Sequence, residues 1–195
     1  MHACRLNTYS LSLAQEDVLE GPWSCGSLAA GSSFLLPVSA RLGGGVLVAA
    51  ERSVSHYRAA TSAVQCSFDP VYFSCWAAVG ADDTRFLLGD QTGSLYLLLL
   101  SHNDAGELVG LSRRAVGMTT TASAISYLDS GSCFVGSRNA NSQLVKLLSE
   151  PLDAAKEPHN YIQARAAAVL SLTCALAAAG APHARDGGAP EQSAS

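Results

Sequence analysis

The sequence predicts an all-β fold built from repeated antiparallel sheets. Three observations carry this reading. From about residue 5 to residue 148, short apolar or β-branched runs alternate with Gly, Asn, Asp and Ser. Apolar residues at helical spacing are scarce over the same span, and one strand–turn–strand pattern recurs three times. At 195 residues the chain has the length of one ordinary domain or two small ones, enough to bury a core.

The first hairpin is "GGGVLVAAERSVSHYR", the second "RFLLGDQTGSLYLLLL" from Arg85 to Leu100, and the third "SCFVGSRNANSQLVKLL", whose first run ends at Gly136. Superimposed, they align Ala50, Asp90 and Ser137 at the start of the turn, and Val54, Leu95 and Leu144 early in the second strand. Successive repeats are about 40 and about 47 residues apart, the spacing of β-propeller blades, in which each four-stranded sheet buries its faces against its neighbours. The intervening runs "AVQCSFD" and "TASAISYL" supply further strands.

The second hairpin invites two other readings, and both fail. A membrane span needs about 20 apolar residues, whereas Asp90 and its polar neighbours interrupt this run. A phosphate loop needs a lysine and a hydroxyl before a helix, and "GDQTGS" has neither that lysine nor the helix. "LYLLLL" is therefore a strand covered on both faces, and Gly93 takes a positive φ in a tight turn.

No catalytic set assembles from the remaining chemistry. Gly43, Gly44 and Gly45 precede a strand instead of following one, against a dinucleotide fingerprint. Asp82 and Asp83 are adjacent, which suits a solvated loop better than paired acid and base carboxylates. Ser24 beside Cys25 does not match a nucleophile elbow. His56 falls in a strand pattern where it packs or hydrogen-bonds, and Arg113 with Arg114 reads as a solvated basic edge. Six cysteines, at positions 4, 25, 66, 75, 133 and 174, show no CxxC pair and no Cys/His cluster. They read as small reduced hydrophobes, with no metal or cofactor expected.

A net charge of −4 gives no general grip on nucleic acid or anionic lipid. The absence of an N-x-S/T acceptor and of a signal-peptide pattern at "MHACRLNTYSLSL" favours a reducing, intracellular setting. After Leu148 the composition turns Ala-rich, then Gly-, Pro- and Ser-rich. The expected organisation is thus a propeller portion over 1–148 and a low-complexity tail over 149–195, with a short helix within Ala166–Ala181 and disorder over the last dozen residues. "HNYIQA" reads as a trace of one more strand.

Four segments in fixed order, "YSLSLAQEDVLEGPW", "RFLLGDQTGSLYLLLL", "YLDSG" and "CFVGSRNANSQLVKL", resemble the first β-propeller of the damaged-DNA-binding protein 1 family. That family joins a cullin-4 ubiquitin-ligase adaptor with the large subunit of the cleavage and polyadenylation specificity factor and a large subunit of splicing factor 3b. The likeness covers about residues 2 to 148. It implies about three blades of a seven-bladed, WD40-like propeller, part of a longer three-propeller protein.

The resemblance also implies a non-catalytic protein–protein scaffold in ubiquitination and DNA repair, located in the nucleus and also in the cytoplasm. Its partners would be substrate receptors of the ligase, with nucleic acid touched only indirectly. The alternative is a portion of an RNA-processing subunit, against which the near-neutral, aromatic-poor composition argues. No catalytic, cofactor, metal or binding residue is assigned. The positions singled out are structural: Gly21, Pro22 and Trp23 at a turn, Gly89 and Gly93 in one hairpin, Gly136 and Arg138 in another, with Arg138 the polar residue chosen for a contact test. A run of three blades leaves outer faces in water, so self-association of the isolated chain is expected. Isothermal calorimetry with ATP should give no stoichiometric binding; a saturable one-site isotherm would contradict the absence of a phosphate loop.

Overall fold

A computed structural model describes residues 4–59, 61–153, 156 and 159–166. Strands β1 (Leu6–Ser12) and β2 (Asp17–Cys25) pair as a two-stranded hairpin. Three four-stranded blades follow. The first holds β3 (Phe34–Pro37), β4 (Val46–Ala49), β5 (Ser53–Arg58) and β6 (Thr61–Ser67). The second holds β7 (Phe73–Ala78), β8 (Arg85–Asp90), β9 (Ser94–His102) and β10 (Leu108–Met118). The third holds β11 (Ala124–Asp129), β12 (Ser132–Gly136), β13 (Gln143–Leu147) and β14 (Ile162–Ala166). Spatial order follows chain order in every sheet, so each blade is an antiparallel meander. The expected all-β class and blade-like sheets are what the chain forms. Among the described residues the helical structure is a 3-10 turn at Ala40–Leu42, and no helix is long and apolar enough to cross a membrane.

The sheets stack face to face, and strand alternation decides which face each side chain joins. In β8, Phe86 and Leu88 enter a cluster shared with the first blade's Leu36, Leu47, Ala49 and Val54. Between them, Leu87 points the other way, into a cluster with Cys133, Val135, Val145 and Ile162 of the third blade. In β9, Leu98 and Leu100 join the former and Leu95 and Leu97 the latter. "LYLLLL" is apolar at every position because the second blade is covered on both sides. A smaller cluster joins Leu6, Trp23 and Cys25 of the first hairpin to Val48 and Tyr57 of the first blade.

The three aligned hairpins occupy equivalent places. Ala50, Asp90 and Ser137 each open the turn between a blade's second and third strands. Val54 and Leu95 are fully buried, whereas Leu144 is 43% exposed. Val54 packs toward the second blade and Leu95 toward the third, while Leu144, paired with Phe134, lies on the third blade's outer face. Its exposure has a plain cause: no blade follows it among the described residues.

Two expectations need correction. The third blade takes its fourth strand from beyond Leu148: β14 pairs with β13 from Gln143↔Ala166 to Leu147↔Ile162. "HNYIQA" is the beginning of that strand, masked in the sequence by the unpatterned connection from Leu148 to Tyr161. Of the short helix expected within Ala166–Ala181, Ala166 lies in β14 instead; the remainder, with the disorder expected over the last dozen residues, falls in 167–195, outside the described residues.

Gly21, Pro22 and Trp23, expected at a turn, lie inside β2 as a bulge. The register jumps there from Asn7↔Ser24 to Tyr9↔Glu20. The Thr8 hydroxyl bridges the gap, donating to the Trp23 carbonyl at 2.5 Å and accepting from the Trp23 N–H at 3.3 Å. Pro22 has no N–H to lose from a ladder, which suits it to such a site.

Gly89 shows how closely the second and third blades approach. A Cβ there would meet Ala122 Cβ at 2.9 Å, Cys75 Sγ at 3.0 Å and Ile125 Cδ1 at 3.2 Å. Gly89→Val should therefore cost about 1–3 kcal/mol through overpacking. Denaturant unfolding checks this; an unchanged midpoint would mean that the seam is looser than described.

Candidate interaction surface

The turns between second and third strands share one rim with the connections that carry the chain from each blade to the next. Backbone hydrogen bonds tie the two kinds of loop. Val71 and Phe68 donate to the carbonyls of Glu51 and Arg52, Gln91 to Tyr72, and Thr119 to Gly93. Each connection thus completes the turn of a hairpin, and the side chains of the rim are held by the blade framework.

Asp90 organises the rim of the second blade. It is buried, and its Oδ1 accepts hydrogen bonds from the Thr92 N–H (2.8 Å), the Thr92 hydroxyl (2.7 Å) and the Ser94 N–H (2.8 Å). Its Oδ2 accepts from the Tyr96 hydroxyl at 3.1 Å. A carboxylate held by four donors closes the hairpin as an Asx turn, and Gly93 takes φ +94° beside it. The segment that could have been read as a phosphate loop binds its own anion. The third blade's turn is looser, built on hydroxyls: Ser142 Oγ accepts from the Ser137 N–H at 3.3 Å, and Ser137 Oγ from the Ala140 N–H at 3.2 Å.

Below the rim, Phe68, Phe73 and Tyr96 meet edge to face, with centroids 5.8 and 6.0 Å apart. The Arg113 guanidinium lies between the Phe68 ring (4.3 Å) and the Tyr96 ring (4.5 Å), bridging the first and second blades. Its Nη1 is buried with no hydrogen-bond partner among the described residues, so the two ring faces stabilise the charge. Arg114, on the opposite face of β10, stacks over Tyr161 at 4.0 Å. The solvated basic edge expected for this pair therefore fails for Arg113, whose guanidinium is held between two rings at the seam, whereas Arg114 is exposed as expected, its guanidinium lying over Tyr161. Burial holds the Tyr96 phenol above its ordinary pKa, with Ser94 opposing, the Asp90 carboxylate adding to the rise and Arg113 also opposing.

Two clefts meet at Tyr96. One of about 290 Å³ lies on the rim between Pro70, Val71, Tyr72, Gln91 and Thr92. The other, of about 620 Å³, lies against β9 and β10 with Met118, Lys156 and His159 along its border. Tyr72 is 59% exposed at the mouth of the first. Arg138 is exposed on the neighbouring turn. Its N–H donates to Ser123 Oγ at 3.2 Å, while its guanidinium has no partner among the described residues. Gly136 ends β12 just before it. This rim offers an aromatic side chain, a cation and several amides, the components of a recognition surface.

The other candidate positions occupy structural settings. His56 is buried, with Nε2 2.8 Å from the Gly44 carbonyl. Asp82 receives the Thr84 N–H and pairs with Arg85 at 3.3 Å; these contacts, led by Thr84, hold its carboxyl below the usual value. Asp83 sits beside it in a left-handed turn conformation. Ser24 accepts from Arg5 at 3.4 Å. Among the described residues no three His, Cys, Asp or Glu side chains are grouped to hold a metal ion. Ser74 is the residue the sequence did not announce: its hydroxyl donates to the Ala122 carbonyl at 2.6 Å, fastening the second blade to the third.

The family model for the RSE1/DDB1/CPSF1 first beta-propeller matches residues 3–172. The chain belongs to this family. Among curated relatives, the DNA damage-binding protein 1 of Oryza sativa subsp. japonica is 39% identical over 145 residues, covering 74% of this chain and 13% of the relative. DNA damage-binding protein 1a of Arabidopsis thaliana is 38% identical over 149 residues, 76% of this chain and 13% of the relative. The Drosophila melanogaster DNA damage-binding protein 1 is 28% identical over 152 residues. The chain thus spans about an eighth of the length of these relatives. The matched span includes β14, so the first-propeller family accounts for all three four-stranded blades.

Two outcomes follow from this geometry. Asp90→Ala removes the acceptor of four hydrogen bonds at a buried turn and should cost about 1–3 kcal/mol, with Asp90→Asn intermediate; thermal or denaturant melts decide. Burial pushes the Cys133 thiol up to about 11, and the Cys75 thiol is also raised by burial, partly offset by Ser74 and Gly89. The neutral Cys133 thiol therefore supports the fold fully below the unfolded thiol's value near ~8.5, and that support is lost as pH rises through about 11. Alkylation at neutral pH mapped by mass spectrometry should mark the half-buried Cys4, Cys25 and Cys66 before Cys133; equal labelling of the native chain would contradict it.

Proposed function

We propose that this chain is a non-catalytic protein–protein interaction module, a portion of a ubiquitin-ligase adaptor of the DNA damage-binding protein 1 type. Its role lies in ubiquitination and DNA repair, and its place of action is the nucleus. The observation that carries the reading is the 36–39% identity to plant proteins named for DNA damage binding, over about three quarters of this chain. The rim supports it: exposed Tyr72 and Arg138 sit on loops fixed by Asp90, Gln91 and Thr119, a rigid surface suited to a protein partner. A cleavage, polyadenylation or splicing role is the weaker reading, since the family model covers those branches as well but the curated relatives carry the damage-binding name.

The partners are substrate receptors of the ligase, and nucleic acid is reached through them. The first test is proximity labelling in cells expressing the tagged chain, compared with a Tyr72→Glu, Arg138→Glu double variant. Both side chains are exposed, so the variant should keep its circular dichroism spectrum while labelling of receptor subunits falls by about tenfold, a modest loss for two interface residues. Labelling dominated by RNA-processing subunits, or unchanged receptor labelling in the variant, would contradict the proposal.

A further inference from the structure

Nucleophilic amines are scarce in this chain. Of its 12 Lys and Arg side chains all but two are arginine, and the two lysines are Lys146 and Lys156. A guanidinium keeps its charge and does not act as a nucleophile, whereas an ε-amine that sheds its proton does. The two amines stand in different settings. Lys146 lies on β13, and its Nζ donates to the Ser130 carbonyl at the β11–β12 turn. That bond must break before the nitrogen lone pair can attack anything. Lys156 lies in the connection between β13 and β14, its side chain 85% exposed and its Nζ 3.9 Å from Asp153 Oδ2, beyond hydrogen-bond reach. An exposed pair at that distance contributes little, so the amine is not committed to it.

Lys156 also borders the cleft of about 620 Å³ that lies against β9 and β10. Its floor is notched, because each cross-strand pair sets a small residue against a large one: Ala115 opposite Tyr96, and Ser94 opposite Met118. Met118 is 68% exposed there. The border beyond Lys156 is fastened to the second blade, since the Tyr161 N–H donates to the Val116 carbonyl at 2.7 Å and a Cβ on Gly117 would meet Ile162 Cγ1 at 2.6 Å. This blade has a sheet on either side, so the cleft is not a face awaiting another blade. We propose that Lys156 is the acylation site of the chain, its Nζ accepting the acyl group of a thioester whose apolar part lies in this cleft. The deprotonated amine attacks the thioester carbonyl carbon, the N–C bond forms and the C–S bond breaks. Sulfur leaves with the electron pair and takes up the proton that the nitrogen loses, so the products are an amide and a thiol, with no oxidant or reductant needed. The thioester comes from a small acyl carrier or from the activated C-terminus of a protein. The inference uses the amine inventory and the cleft, and it stands apart from the adaptor reading.

The full chain is treated with acetyl-coenzyme A or octanoyl-coenzyme A, digested and mapped by mass spectrometry. Acetylation of Lys156 should outpace that of Lys146 about fivefold, the worth of one hydrogen bond, and the difference should vanish in urea. The octanoyl donor should favour Lys156 more strongly still. Ala115→Glu, at an exposed position, should remove that surplus while leaving the circular dichroism spectrum unchanged. In cells expressing the tagged chain, a short acyl group on Lys156 points to a small carrier and a di-glycine remnant to a protein C-terminus; Lys156→Arg should abolish either. Equal or greater acylation of Lys146 in the folded chain, an octanoyl preference indifferent to Ala115→Glu, or a Lys156 left unmodified in cells would each overturn the proposal.

Discussion

The structure depends on the second blade being buried on both of its faces. A sheet covered on one side can alternate polar and apolar residues; a sheet covered on both cannot, and "RFLLGDQTGSLYLLLL" is the consequence. Phe86 and Leu88 lock the first blade to the second, and Leu87 and Leu95 lock the second to the third. Each fully buried side chain of this kind contributes roughly 1.5–3 kcal/mol, against about 0.5–1.5 kcal/mol net for an ordinary hydrogen bond. Apolar stacking is therefore what holds the blades in sequence.

Polar groups do a different task, fixing the blades in register. Ser74 reaches across to the Ala122 carbonyl, and the Thr120 N–H and hydroxyl reach Gln143 and the Asn141 carbonyl of the third blade's turn. Arg113 spans the first seam between two aromatic rings, and Asp90 closes the hairpin that both seams share. These contacts are specific in angle and distance, whereas the apolar clusters are not. Their outcome at the rim is a set of loops whose exposed side chains, Tyr72 and Arg138 among them, are presented by a rigid base.

How far the sequence foretold this arrangement depended on whether the signal was local. The three hairpins were legible because each has an apolar run, a polar turn and a second run, and period-two alternation needs only a few residues to register. β14 was not legible as part of the third blade, because its partner β13 lies across a long connection without apolar pattern. The Gly21–Trp23 bulge was misplaced because Gly and Pro mark bulges and turns with the same letters; only the register from Tyr9 to Glu20 separates them. Arg113 looked solvated because a charged residue carries no mark of the ring that will receive it, and Phe68 is distant in sequence. Asp90 did carry a signal, an Asp followed by Thr and Ser two and four residues later, the spacing an Asx turn uses.

Native-state hydrogen exchange followed residue by residue tests the central claim most directly. If two-sided stacking holds the fold, amides of β8 and β9 should be the most protected in the molecule. Those of β12 and β13, covered on one face among the described residues, should exchange faster, and those of β1 and β2 fastest. Protection that is uniform across the four sheets, or greatest in the β1–β2 hairpin, would contradict the account.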